Sequence, residues 1–301
     1  MDAAQLRPRF VYQAYGARRF RLQAALSIRS LLAQGAAAES VLVFTDRPGE
    51  FAGLSGSTLE ATASLLREWA GRCGFHHRIK IELIRRVRAI FPGPIVYVDS
   101  DTIWRSSPSE IYSHLESGQF VMHECEAPLS DSFYPEYLAA LQLLEARGGL
   151  GALAGHVGQV RMYNAGVIGL PTHLSDDILS RVLSLCDDLS LLVPRRMELV
   201  EQLAFSCILP RLGEMKTCRN AVLHYWRDSF EVCQALESMM PETITRLSEE
   251  PIQLERLITD AQKRRDGIAN QYRKRAARLA QSVARRKREI KAVVARWRRA
   301  A

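Results

Sequence analysis

The run Ile95-Val96-Tyr97-Val98 is entered through Pro92-Gly93-Pro94 and leads straight into Asp99-Ser100-Asp101; no other feature constrains this chain as much. Four consecutive β-prone apolar residues read as a central strand covered on both faces, which is the pattern of a parallel sheet in an α/β protein. Two carboxylates one residue apart at the strand's end face the same way if extended geometry continues through them. At that separation they repel strongly unless water or a cation screens them. A hard divalent ion relieves the repulsion and prefers oxygen ligands. With only two protein carboxylates it also keeps positions open for a diphosphate. The reading is a Mn²⁺ or Mg²⁺ site that binds a nucleotide diphosphate at a strand end, against the alternative of an Asp-x-Asp that only caps a turn.

The surrounding pattern supports a parallel sheet. Phe10 to Tyr12 reads as a short strand. Phe20, Ala24, Ile28, Leu31 and Leu32 then recur at helical spacing, and Val41-Leu42-Val43-Phe44 reads as a buried strand closed by Asp46 and Pro48. Strand, helix, strand is a βαβ unit, right-handed and with its loops opening at the carboxyl ends of the strands. Ile79, Leu83, Val87 and Ile90 form a second helical stripe that ends at Pro92. Residues 161–163 and 167–170 flank Asn164-Ala165-Gly166, as a strand crossing a close-packed site would. Val200, Leu203, Ala204, Cys207 and Ile208 mark a further helix. Between Pro128 and Gly158 glycine and alanine are frequent and periodicity is weak, which predicts a mobile insertion.

Charge separates the chain into two parts. Of its 41 basic and 33 acidic residues, 16 and 4 lie in residues 252–301, leaving 25 and 29 in the body before them. The body is mildly acidic and the tail strongly basic. Ala269, Ala276, Val283, Ile290 and Trp297 fall seven apart in the tail, with Tyr272, Leu279 and Val293 between them and Arg286 breaking the series. A long amphipathic basic helix is expected. Its favoured use is on an anionic membrane surface, where each Lys or Arg adds on the order of 1 kcal/mol. A homodimeric coiled coil is the second use, disfavoured by small alanines and a scarcity of acidic partners. Nucleic-acid binding is the third and is not expected.

With 47% apolar and 25% charged residues, the composition excludes a disordered or fibrous chain. No window approaches the roughly 18–20 uninterrupted apolar residues of a membrane-spanning helix. The N-terminal residues lack the apolar core of a secretory leader. The expected location is therefore cytoplasmic, peripheral on the inner face of the plasma membrane. Six scattered cysteines form no C-x-x-C pair and are expected as reduced, packed thiols.

VYVDSDTIW (96–104), NAGVIGL (164–170), the Glu201-Gln202 pair opening a helix, and His224 in VLHYWRD (222–228) occur in a recognisable order. Together they resemble nucleotide-sugar transferases of the GT-A fold, most of all glycosyltransferase family eight and its bacterial relatives, over roughly residues 8–230. The resemblance implies a GT-A catalytic domain over residues 1–245: a Rossmann-like, mixed but mainly parallel sheet with flanking helices, followed by the basic helical extension of residues 252–301. It implies a metal-dependent transfer of a sugar from a nucleotide-diphosphate donor, a UDP-sugar, to a hydroxyl of a glycan or lipid-linked acceptor, with retention of configuration. A nucleotide-sugar-binding pseudoenzyme and a nucleotidyltransferase of the same fold are the alternatives.

The resemblance also assigns residues. Asp99 and Asp101 would bind Mn²⁺ (or Mg²⁺) and the donor diphosphate, with Ser100 between them facing the donor and His224 as third metal ligand. Asn164 would line the donor-sugar pocket, with Glu201 and Gln202 under the sugar's reactive face. Tyr12, Gln13, Ala14 and Tyr15, in the first strand-end loop, would seat the base and ribose, and Thr45 and Asp46 would add hydrogen bonds to them. Arg78 and Lys80 open a helix where acidic residues are usual, which points to contacts with an anionic diphosphate or sugar. Two departures stand out: Glu201 replaces the family's frequent Asp, and Tyr225-Trp226-Arg227 follows the histidine where Gly and a Lys-Pro-Trp motif are common. The residues alone do not decide between a front-face process and a double displacement.

Overall fold

A computed structural model gives the architecture of residues 9–131, 134–151, 155–172, 174–193 and 197–239, and of Arg256, Ile258–Asp260 and Lys263. The remainder of the expected tail helix lies outside the described residues.

The chain begins with the expected βαβ unit. Strand β1 (Arg9–Gln13) leads into helix α1 (Arg18–Ala33) and returns as β2 (Val41–Thr45), parallel to β1 with Val11 opposite Leu42. Helix α1 buries Ala24, Ile28 and Leu31 against the sheet and Leu26 in a separate cluster away from it, while Phe20, expected on the same stripe, is exposed. A short β3 (Ser57–Glu60) extends the sheet beyond β2, and α2 (Ala63–Trp69) follows it. Helix α3 (Arg78–Ile90) buries Ile79, Leu83, Ile84 and Val87, and leaves Ile90 exposed at its last turn. It feeds β4 (Ile95–Val98), all four residues of which are buried.

Beyond β4 come β5 (Thr102–Trp104), α4 (Ser109–Glu116), β6 (Phe120–Met122) and β7 (Cys125–Pro128). The stretch expected to be a mobile insertion contains a regular helix, α5 (Pro135–Ala146), with Pro135 in its first turn and Tyr137, Leu141 and Leu144 buried. Its apolar positions were obscured in the sequence by the glycines that follow it, at 148, 149, 151, 155 and 158. Strands β8 (Arg161–Tyr163) and β9 (Val167–Leu170), helices α6 (Asp176–Leu192) and α7 (Val200–Ile208), strands β10 (Met215–Thr217) and β11 (Val222–His224), and helix α8 (Ser229–Glu237) complete the order.

Seven strands form the main sheet in the order β10-β6-β9-β4-β1-β2-β3. The β4-β1-β2-β3 and β10-β6 pairings are parallel; β9, wedged between β4 and β6, is antiparallel to both. The sheet is thus mixed and mainly parallel with helices packed around it, the architecture the GT-A resemblance implies. Two small antiparallel pairs, β11-β5 and β7-β8, lie outside it.

This topology places the site. In a parallel sheet the carboxyl ends of β1, β2 and β4 lie on one side, and the reversed β9 presents its amino end there. Asp99 follows β4, and its N–H donates to Gly166 O across the β4–β9 junction at 2.8 Å. Pairing of β11 with β5 sets His224 opposite Thr102, and the Tyr225 N–H donates to Asp101 O at 3.0 Å. Helix α7 is buried along its whole length, so Glu201 and Gln202 in its first turn are buried with it.

All six cysteines are free thiols, four of them buried. Ile258, in the basic extension, belongs to a cluster with Leu26, Ile103, Tyr225, Val232 and Leu236 and so packs on the body. No helix among the described residues is long and apolar enough to cross a membrane.

Candidate active site at the sheet's carboxyl edge

Asp99, Asp101 and His224 each offer a ligand atom, and these atoms lie within 4.8 Å of one another. The two carboxylates converge although the strand stops at Val98, so the convergence comes from the turn that follows and not from extended geometry. That turn is fixed: Thr102 Oγ1 donates to Asp99 O at 2.9 Å and sits 2.7 Å from Ser27 Oγ. Two carboxylate oxygens and one imidazole nitrogen suit Mn²⁺ and fit Mg²⁺ less fully, since imidazole is the softer ligand.

Each carboxylate also has its own cationic partner. Lys80 Nζ lies 3.1 Å from Asp99 Oδ1, donates to Ala165 O at 3.1 Å, and is 3.4 Å from Glu201 Oε1. Burial opposes the lysine's charge, but Asp99 and Glu201 more than offset it and raise its pKa above the ordinary value. His224 Nε2 is 3.2 Å from Asp101 Oδ1 and 3.9 Å from Asp99 Oδ2. Burial disfavours the imidazolium, while the two carboxylates outweigh it and raise its pKa. The same pairing lowers Asp101 against the opposing effect of burial. Tyr97, buried beneath the site, donates its hydroxyl to Asp99 Oδ1 at 2.9 Å.

Glu201 is nearly inaccessible to solvent. Burial favours its neutral form, but His77 and Lys80 hold its pKa down to about 2. His77 Nδ1 lies 3.5 Å from Glu201 Oε1, and the imidazole is half-exposed, so this histidine joins the wall of the site to solvent. Glu201 Oε2 is buried with no hydrogen-bond partner among the described residues, an acceptor suited to a ligand hydroxyl.

Asn164 and Gln202 are both brought here, with their amides already engaged. Asn164 Nδ2 donates to Glu126 Oε1 at 2.9 Å, and its Oδ1 accepts the Gly166 N–H at 2.9 Å. Gln202 Oε1 accepts the Ala165 N–H at 3.1 Å, and Nε2 donates to Glu126 Oε2 at 3.0 Å. Glu126 was not anticipated. It sits at the irregularity in the β7–β8 pairing between Cys125 and Ala127, where a bulge turns a side chain out of the ordinary alternation. Tyr134, ahead of α5, also donates to Glu126 Oε2, at 2.8 Å. His77 was likewise not anticipated; the partner it finds is the Glu201 carboxylate.

The loop residues divide. Gln13 is half-buried at the end of β1, and its Oε1 is buried without a partner among the described residues. Tyr15 is partly buried edge-on to Phe44, which raises its phenol pKa to about 12 through burial. Asp46 is exposed, its Oδ2 accepting the Gly16 N–H at 3.2 Å. Ser100 is half-buried between the two aspartates. Thr45 is buried, and its Oγ1 accepts the Arg47 N–H.

Three expectations change. Tyr12 is a core residue, fully buried, with its hydroxyl occupied by Ser27 and Trp104 at 3.2 and 3.1 Å. Ala14 is fully buried, so only its backbone shapes the loop. Arg78 turns away from the aspartates: its guanidinium binds Asp187 at 2.6 and 3.1 Å, Trp69 O at 2.7 Å and Glu82 at 3.1 Å. It ties α3 to α6, and Lys80, two residues on, faces the site instead.

No protein-family model matches the sequence, and no curated protein matches it. Among solved structures, the chain is similar to the galactosyltransferase LgtC in complex with donor and acceptor sugar analogs, at 11% identity over 68% of this chain and 72% of that one, with a TM-score of 0.44. It is similar to mouse xyloside xylosyltransferase 1 at 14% identity over 77% of this chain and 94% of that one, with a TM-score of 0.44. Likeness to the glycosyltransferase GlyE of Streptococcus pneumoniae TIGR4 covers 75% of this chain and 47% of that one, at 11% identity and a TM-score of 0.39. At these levels the site's own residues carry the functional reading.

Proposed function

We propose that this chain is a metal-dependent glycosyltransferase that moves a sugar from a nucleotide-diphosphate donor, a UDP-sugar, to a hydroxyl of a glycan or lipid-linked acceptor, with retention of configuration. The observation that carries the reading is the convergence of Asp99, Asp101 and His224 at the carboxyl edge of the parallel strands, beside the buried Lys80–Glu201 pair. Asp99, Asp101 and His224 would hold Mn²⁺ or Mg²⁺, which supplies electrostatic stabilisation to the departing diphosphate.

The chain's own residues supply the rest. Lys80 holds Asp99 and Glu201 in place and keeps a permanent positive charge beside the diphosphate's seat. Glu201, ionised and with Oε2 lacking a partner among the described residues, accepts a hydroxyl of the transferred sugar. Gln202 and Asn164, both held by Glu126, form a fixed polar wall. Gln13, Tyr15 and Asp46 stand at the ends of β1 and β2, where the base and ribose would lie. Residues 252–301 bring the enzyme to an anionic membrane surface that carries the acceptor.

Calorimetric titration with uridine diphosphate, with Mn²⁺ and then with chelator, tests the donor site: binding that needs the ion is expected, and binding unchanged by chelator would remove the metal reading. Slow hydrolysis of a nucleotide sugar without acceptor separates an enzyme from a binding protein. Co-sedimentation with anionic vesicles, comparing the full chain with one truncated after residue 251, tests the tail; equal pelleting would remove the membrane role.

A further inference from the structure

Among the described residues, the only exposed Phe, Trp or Tyr side chains are Phe20, Trp226 and Phe230, at 39%, 49% and 62% exposure. They share one edge of the molecule. Trp226 stands two residues after His224, Phe230 lies in the first turn of α8, and Phe20 lies in the first turn of α1, five residues after Tyr15. The two helices are joined beside them: Gln23 Nε2 donates to Ser229 Oγ at 2.9 Å, and Leu26 packs with Val232 and Leu236. Because α1 starts where β1 ends, this edge is the rim of the candidate active site. Large rings scattered singly over a surface need no explanation, but three gathered on joined elements mark a contact surface.

Charge narrows what covers them. The Arg19 guanidinium lies 4.9 Å from the centroid of the Phe20 ring, and that of Arg227 lies 4.9 Å from the Trp226 ring. Arg18 is exposed beside them in the chain. None of these three arginines forms an ion pair among the described residues, whereas Asp46 and Glu50, across from the start of α1, are engaged by Arg21. Glu231, next to Phe230, is half-buried. An anionic bilayer offers acyl chains to the rings and phosphates to the guanidinium groups within one surface, as amphipathic side chains at a membrane interface require. The same helix pair receives the basic extension: Ile258 packs on Leu26, Val232 and Leu236, and residues 252–301 hold 16 basic against 4 acidic side chains.

We propose that Phe20, Trp226 and Phe230, with Arg18, Arg19 and Arg227, form a docking surface for an anionic lipid bilayer on the body of the protein, in addition to the basic extension. The rings enter the acyl boundary while the guanidinium groups stay with the lipid phosphates, which turns the mouth of the site toward the bilayer. The consequence for the substrate, an acceptor hydroxyl held close to the lipid headgroups, rests on the lipid-linked acceptor of the proposed function; the docking itself does not.

The test uses the full chain with vesicles of phosphatidylcholine, alone or mixed with phosphatidylglycerol. Of the four tryptophans, Trp69 and Trp104 are buried, so a Trp297→Phe protein leaves Trp226 as the exposed indole. Brominated phosphatidylcholine in the anionic vesicles is expected to quench its fluorescence, and a further Trp226→Phe change to remove most of that quenching. By co-sedimentation with anionic vesicles, Trp226→Ser and Phe230→Ser should each weaken binding about fivefold through lost apolar burial. Arg19→Gln and Arg227→Gln should each weaken it about fivefold on anionic vesicles and leave binding to pure phosphatidylcholine unchanged. All four side chains are exposed, so these variants fold.

A chain that pellets with anionic vesicles while Trp226 stays unquenched overturns the proposal and leaves the extension as the membrane contact. Ring variants that pellet like the wild type overturn it as well. Light scattering that finds a dimer dissociated by Phe230→Ser overturns it in favour of a second copy as the cover. A chain that pellets with no vesicle defeats the docking surface and the extension's membrane role together. A chain that docks as expected yet binds no uridine diphosphate defeats the transferase reading alone, because docking is measured without donor or acceptor.

Discussion

Lys80→Met isolates the charge network beneath the site. The ammonium is buried within 3.4 Å of Asp99, Ala165 O and Glu201, and methionine fills similar volume without the charge. Glu201 would then keep His77, 3.5 Å away, as its cationic partner, while Oε2 already lacks a hydrogen-bond partner among the described residues. Removing one member of a buried ion pair costs about 3–5 kcal/mol, because the other charge stays buried. An independent figure comes from Glu201 itself. A carboxyl held at about 2 in place of an ordinary 4.5 contributes on the order of 3 kcal/mol, shared between His77 and Lys80. The sign follows from the depressed value: the contribution is fully present above about pH 4.5 and is lost as pH falls through about 2. In the variant the Glu201 pKa rises, so the deficit relative to wild type is greatest near neutrality and shrinks on the acid side. At roughly 2–4 °C per kcal/mol, a loss of about 3 kcal/mol lowers the melting temperature by about 6–12 °C. Urea unfolding at pH 7.5 and 4.5, on Lys80→Met, Glu201→Gln and the double variant, measures both size and coupling. A deficit independent of pH, or a double variant whose loss equals the sum of the two singles, would refute the network.

Four further outcomes follow from the same geometry. Asp99→Asn or Asp101→Asn should each lower Mn²⁺ affinity at least tenfold by calorimetry, while full affinity in either would remove that residue from the ligand set. Gly166→Ala should displace the His224 ring and weaken Mn²⁺ binding about as much as His224→Ala, with the double variant no worse than either, since both act through one imidazole. Arg78→Met, which cuts α3 from α6, should lower the melting temperature yet leave uridine diphosphate affinity within about twofold. Tyr12→Phe should behave likewise, costing about 1 kcal/mol for its buried hydrogen bonds with no change in donor binding.

Legibility in the sequence followed the range of the interaction. The βαβ start, the buried β4 run and the wholly buried α7 are written in local patterns of apolar residues, and each appears where those patterns put it. Asp99, Asp101 and His224 converge because the β11–β5 pairing carries His224 to Thr102, a non-local event that only the resemblance anticipated. Glu126 was illegible for a specific reason: its direction depends on an irregularity in a two-stranded pair, which no alternation of apolar and polar residues records. Arg78 and Lys80 looked equivalent as basic residues at one helix start. Two positions apart on a helix, they point about 200° from each other, so they could not both face the aspartates. Tyr12 ends the strand that the apolar run predicts, and only the resemblance drew it into the donor loop; it is the residue of β1 opposite Val43, with its side chain inside the core.

The electrostatics of the paired aspartates also differ from what their spacing alone suggests. Two carboxylates about 4 Å apart repel by roughly 4 kcal/mol at an effective dielectric of 20, which on the sequence alone argues for an ion between them. In the folded chain Asp99 has Lys80 and Asp101 has His224, so the repulsion is already balanced by the protein. The pair therefore does not require a cation in order to exist, and Asp-x-Asp by itself is weak evidence for one. What favours an ion is the third donor. The backbone bonds Asp99 N–H to Gly166 O and Tyr225 N–H to Asp101 O tie the segment that bears both aspartates to the turn at Gly166 and to the segment that bears His224, both far away in the chain. Their approach is thus stabilised by the sheet and its flanking pairs, and an arriving ion meets ligand atoms already within 4.8 Å of one another. An ion bound there would spend little of its binding energy on assembling them, and under the proposed function that preorganisation would let so few protein ligands leave coordination positions open for a diphosphate.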